Sequence, residues 1–130
     1  DNCYSNHPIH YQMDPMAQGK LVRVVSGEVF DVAVDLRRES KFFGQYVSVV
    51  LNADNRKQIW IPEGFGHAFL AMSERVEMVY KTTNYYSSPH EVCIKWDDSN
   101  LAIEWPKIKH PILLSKKDEQ GLGLDEAELF

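Results

Sequence analysis

Side chains able to move protons or hold a developing anion gather in four clusters. These are His7-Pro8-Ile9-His10-Tyr11-Gln12, Gln18-Gly19-Lys20, His67, and Tyr80-Lys81 with Tyr85-Tyr86. Histidine titrates closest to neutral pH, so it can serve as base or acid. Lysine can neutralise an oxyanion, and a tyrosine hydroxyl can return a proton. His67 has the most distinctive setting. It follows the apolar run and turn of QIWIPEGFGHAF (58–69) and heads a second apolar run. Glycine tolerates backbone angles that bulkier residues resist, so Gly64 and Gly66 can hold this imidazole at a tight corner. Taken singly, each residue also has a structural explanation. A strand histidine can be hydrogen-bonded in the core, Tyr80 can cap a core strand, and Lys20 can protect an edge.

Five histidines, His7, His10, His67, His90 and His110, raise the question of a metal. Metal sites in small β-barrels draw on an HxH pair with a carboxylate soon after, and this chain has no HxH. His7 and His10 lie three apart, which in a regular strand puts them on opposite faces. The expectation is no metal and no other cofactor.

The elements that must position these residues are short strands. KLVRVVS (20–26) and EVFDVAVDL (28–36) flank Ser26-Gly27, a hairpin-turn signal. In the second run Phe30, Val32, Val34 and Leu36 share one face. Asp31, Ala33 and Asp35 share the other, so that face should line something polar. Further strands are expected over Gln45–Leu51, Gln58–Ile61, His67–Met72, Arg75–Thr83 and Glu91–Trp96. Such spacing predicts an antiparallel sandwich or barrel. Beyond Trp105 the pattern becomes irregular or helical, with a helix start or a charged turn expected at Ser115.

At 130 residues the chain fits one domain, 1–130, with a core of its own. A net charge of -5 argues against a nucleic-acid partner. No apolar run reaches the ~18 residues of a membrane span, and Asp1–His10 lacks the apolar region of a signal peptide. Cys3 and Cys93 have no CxxC spacing and read as free thiols, so a cytoplasmic location is expected.

Together the clusters say more than each alone. HYQ, QGKLVRVV, GEVFDVAVDLR, QIWIPEGFGHAF, VYKTT, IKWDD, IEWP and LSKKD, in this order from Ile9 to Asp118, resemble the dTDP-4-dehydrorhamnose 3,5-epimerases. The resemblance implies an all-β, cupin-like jelly roll without a metal. It implies a homodimer acting on a nucleotide-linked keto sugar in deoxysugar and lipopolysaccharide carbohydrate biosynthesis. It also implies roles: His10 as base, Asp118 as the carboxylate orienting it, and Tyr80 as acid on the opposite face. Lys20 and His67 would stabilise the enolate, with Asp31 supporting His67. Gln12, Arg23, Tyr85 and Tyr86 would contact substrate, Arg23 provided that it points inward.

Two departures qualify this. The family carries a long stretch before the position matching Asp1-Asn2, so the domain reads as N-terminally shortened. Where the family reads R-G-L-H, this chain has His7-Pro8-Ile9-His10, and a fixed cation is lost. The competing expectation is a catalytically impaired paralogue that binds a nucleotide sugar, or a structural remnant.

Overall fold

The computed structural model describes residues 6–107 and 121–130. Eight strands make it up: β1 (Asn6–Gln12), β2 (Lys20–Ser26), β3 (Glu28–Asp35), β4 (Tyr46–Asn52), β5 (Gln58–Ile61), β6 (Phe65–Ala71), β7 (Glu77–Thr82) and β8 (Glu91–Ile94). They form a five-stranded sheet, β4-β3-β6-β1-β8, and a three-stranded sheet, β5-β2-β7, with antiparallel pairing throughout. The architecture is the expected all-β jelly roll. A single 3₁₀ turn, Ser88–His90, is the only helix among the described residues. The helix start or charged turn expected at Ser115 lies outside them, as does Asp118.

Ser26-Gly27 does not close a hairpin. β2 and β3 belong to different sheets, and only β3 and β4 are consecutive strands paired in one sheet. Gly27, at φ +81°, is a corner handing the chain from the small sheet to the large one. A Cβ there would collide with the Arg75 carbonyl oxygen. The turn signal was correct, but local sequence cannot say whether a turn reverses a strand beside itself or across a sandwich.

The alternation in β3 predicts the layers. Val32, Val34 and Leu36 face a core shared with Ile9, Tyr11, Ala68 and Ile94, which C-terminal Leu101 and Ala127 cover. Val29 and Ala33 face a second core between the sheets, with Val22, Val24, Leu51 and Ile61. Asp31 and Asp35 share that inner direction and are buried.

The turn before His67 also crosses between sheets, and its two glycines serve different ends. Gly64 has φ +90°, and its Cβ would lie 2.6 Å from Arg37 Cγ. Gly66 is needed for space, because a Cβ would strike Ile9 Cγ2 in the outer core. Arg37 packs over the Phe65 ring at 4.9 Å and is itself gripped by Asp35. Thus the end of β3 clamps the corner that delivers β6.

Candidate active site

Strand register brings the chemistry-bearing residues onto the inner faces of the two sheets. His10 on β1 lies opposite His67 on β6 and opposite Cys93 on β8. Cross-strand partners share a face with Cβ atoms ~5 Å apart, so these three side chains are neighbours. From the other sheet, Lys20 pairs with Ile61, and Tyr80 pairs with Val22. Both partners are fully buried core residues between the sheets, so Lys20 and Tyr80 start out on the inner face. The Tyr80 ring remains 58% exposed, which puts it at the open mouth of the sandwich.

β1 reaches this register through a bulge. His7 pairs with Phe69 and His10 with His67, so one extra residue is taken up between them. Proline has no N–H for a ladder and is accommodated at bulges, and Pro8 lies in this interval. The strict alternation that would separate His7 and His10 therefore does not run through β1. Among the described residues, no group of three or more His, Cys, Asp and Glu could hold a metal ion.

His67 and His10 are each gripped by a carboxylate. His67 Nε2–H donates to Asp31 Oδ1 at 2.6 Å, and the Asp31 side chain is wholly buried. An ionised carboxylate only accepts, so this contact fixes the proton on Nε2. His67 can then donate from Nδ1 as well only as the imidazolium. His10 Nδ1–H donates to Glu91 Oε1 at 3.0 Å. Asp118, expected to orient His10, lies outside the described residues.

Lys20 is half-buried at the head of β2, held in place by its neighbours. Gly19 N–H donates to Thr83 Oγ1 at 2.9 Å, and Gln18 Nε2 donates to the Asn84 carbonyl at 2.8 Å. Burial pushes its ammonium below its ordinary value, and the charges of Asp31 and then Glu91 pull it back up. One cation thus stands within electrostatic reach of both histidine-bound carboxylates. Asp31 Oδ2 has no hydrogen-bond partner among the described residues, so this acid retains unused acceptor capacity beside Lys20.

Two expected contacts take other positions. Arg23 pairs with Gln58 and Val79 and is exposed on the outer face of the small sheet, one residue out of phase with Val22. It does not join the inner group. Gln12 does face inward, but its amide is occupied by backbone. It donates to the Met16 and Tyr85 carbonyls at 2.7 and 3.1 Å and accepts from Ser87 N–H at 2.8 Å. Gln12 pins the loop bearing Tyr85 and Tyr86, whose rings are exposed beside the mouth. Glu91 is the residue that sequence reasoning missed. Its alternation with buried Ile94 was a usable signal, but the pairing of β8 with β1 had to be known to aim it at His10.

Residues 7–126 match the model of the family described as dTDP-4-dehydrorhamnose 3,5-epimerase. The chain belongs to this family. It is 53% identical over 122 residues to the dTDP-4-dehydrorhamnose 3,5-epimerase of Shigella flexneri, an alignment covering 94% of this chain and 66% of that protein. Among solved structures, it resembles the Legionella pneumophila dTDP-6-deoxy-D-glucose-3,5-epimerase in complex with dTDP-4-keto-L-rhamnose, with TM-score 0.92 and 42% identity. That likeness covers 98% of this chain and 66% of the other. It also resembles a 3'-monoepimerase from Streptomyces bikiniensis in complex with dTDP-quinovose, with TM-score 0.88, 30% identity and coverage of 96% and 63%. The chain thus spans about 66% of the length of the curated relatives first matched. In this sandwich His10 and His67 on one sheet and Lys20 and Tyr80 on the other start out on facing inner surfaces. No helix among the described residues is long and apolar enough to cross a membrane.

Proposed function

We propose that this domain epimerises a dTDP-4-keto-6-deoxyhexose at C3, C5 or both, in dTDP-rhamnose or related deoxysugar biosynthesis. The observation that carries this reading is the opposition of His10 and His67 on one sheet to Lys20 and Tyr80 on the other. A proton beside the C4 ketone is acidic because the electron pair left behind moves into the carbonyl. His10 takes that proton, and a positioned base contributes ~10²–10⁴-fold. The negative charge on the C4 oxygen is met by Lys20 and by His67, whose partner Asp31 balances an imidazolium. The Tyr80 hydroxyl returns a proton from the opposite face, and solvent restores both groups.

Asp118 is proposed as a second carboxylate for His10 on the strength of the family motif alone. Tyr85 and Tyr86 offer aromatic faces to the nucleotide. The working form is a homodimer in the cytoplasm. In support of self-association, Phe42, Val47, Val50, Trp60 and Val79 are exposed apolar side chains. A structural remnant has no need of two buried or half-buried histidine–carboxylate pairs around one lysine.

The test is solvent exchange. In D₂O the protein should place deuterium at C3 or C5 of a dTDP-4-keto-6-deoxyhexose, and His10→Ala should abolish this. No exchange above background with well-folded protein would sink the enzyme reading.

A further inference from the structure

The loop between β7 and β8 contains a connection that the reaction scheme above does not use. Tyr86 O–H donates to Glu91 Oε2 at 2.6 Å, while Glu91 Oε1 accepts from His10 Nδ1 at 3.0 Å. One carboxylate therefore joins an exposed aromatic ring to the imidazole that serves as base. The Glu91 side chain is only 12% exposed, and it bridges a part-buried contact to His10 and a surface contact to Tyr86.

The hydroxyl of Tyr86 is well placed although its ring is open to solvent. Its two chain neighbours are both tied to Gln12, through the Tyr85 carbonyl and the Ser87 N–H. Glu91 is fixed from its own side by register, opposite Gln12 on β1, and its N–H donates to the Ser88 carbonyl, closing the 3₁₀ turn. Both ends of the Tyr86–Glu91–His10 chain thus rest on β1. Among the described residues, the polar groups near His10 include Cys93 and His67, its register partners, and Lys20, which feels the Glu91 charge.

We infer that Glu91 is a positioning residue for His10, and that Tyr86 shares it so that nucleotide packing and base alignment are coupled. Resting on the proposed function, this means that a ligand lying on the Tyr86 ring steadies the hydroxyl, the carboxylate and the imidazole together. Glu91 then acts on proton transfer through His10, and Tyr86 acts through Glu91.

The test has an arm that needs no turnover. In ¹⁵N-labelled protein the His10 Nδ1 resonance should be that of a proton-bearing nitrogen. It should move in Glu91→Gln and, by a smaller amount, in Tyr86→Phe. It should stay in place in Tyr46→Phe, whose hydroxyl instead accepts from Glu104 N–H at 3.0 Å. A resonance unmoved by Glu91→Gln overturns the positioning role, and one unmoved by Tyr86→Phe overturns the coupling. The second arm is deuterium exchange into the keto sugar. Glu91→Gln should lower kcat by roughly tenfold or more, a fraction of the ~10²–10⁴-fold of a positioned base, with a smaller change in KM. Tyr86→Phe should lower kcat by a larger factor in the native background than once Glu91 is Gln. Additive losses in that cycle would overturn the coupling. Absence of exchange in the unsubstituted protein would instead defeat the proposed function, and the resonance arm would still decide the inference.

Discussion

Asp35→Asn should weaken the fold by an amount that depends on pH in a defined way. The Asp35 carboxylate accepts from Arg37 Nε at 3.0 Å, Arg37 Nη2 at 2.9 Å, Arg37 N–H at 3.0 Å and Ser40 Oγ at 2.6 Å. Its side chain is 3% exposed. The Arg37 guanidinium above all, helped by Ser40 and the backbone N–H, holds its pKa down from 3.8 to about 2. At about 1.36 kcal/mol per pH unit, that difference is worth about 2.5 kcal/mol. The exposed side of Arg37 makes this an upper figure. The folded pKa is the lower one, so the stabilisation is complete above the unfolded value near 4. It drains away as pH falls from there through about 2. Urea unfolding followed by tryptophan fluorescence should show Asp35→Asn about 2 kcal/mol less stable than the native sequence at pH 7. The gap should narrow at pH 3 and nearly close at pH 2, where the native carboxyl is itself becoming neutral. A constant gap across this range, or none at pH 7, would refute the electrostatic reasoning. The site should register the change too, because Arg37 braces Gly64 and Phe65 at the corner before His67.

Tyr80→Phe should keep deuterium exchange while impairing inversion, read by NMR of the product; unimpaired inversion would mean that another group is the acid. The pH profile of kcat/KM should show an alkaline limb below the ordinary lysine value of 10.5, because burial lowers Lys20 and its charge is lost as pH rises. Lys20→Arg, charged throughout, should move that limb upward, and an unmoved limb would assign it to a different group. Treatment with a chelator should leave activity intact; loss restored by a divalent ion would overturn the metal-free scheme.

Much of the architecture was legible in local pattern. Period-two alternation in β3 separated Val32 and Val34 from Asp31 and Asp35, and this division is the one between the two cores. β5 falls where expected, and β6 begins two residues early, because the turn itself enters the strand. What pattern could not supply was partnership. Ser26-Gly27 looks the same whether the next strand pairs with the last or crosses to another sheet. Arg23 and Lys20 differ only in parity along one strand, and that parity gains meaning once Val22 is known to be core. The bulge at Pro8 lies in neither histidine's local signal.

The residue types and order of the chain were enough to assign its family, its β layers and the side chains capable of proton transfer. Such features depend on composition and on the two-residue period of a strand, which each segment carries in itself. Tertiary structure alone decided which carboxylate serves which histidine. It set Glu91 rather than any sequence neighbour on His10, turned Gln12 into a loop clamp, and sent Arg23 to the outside. Those outcomes depend on register between strands distant in sequence, and register is fixed by packing the whole sandwich rather than by any one segment of it.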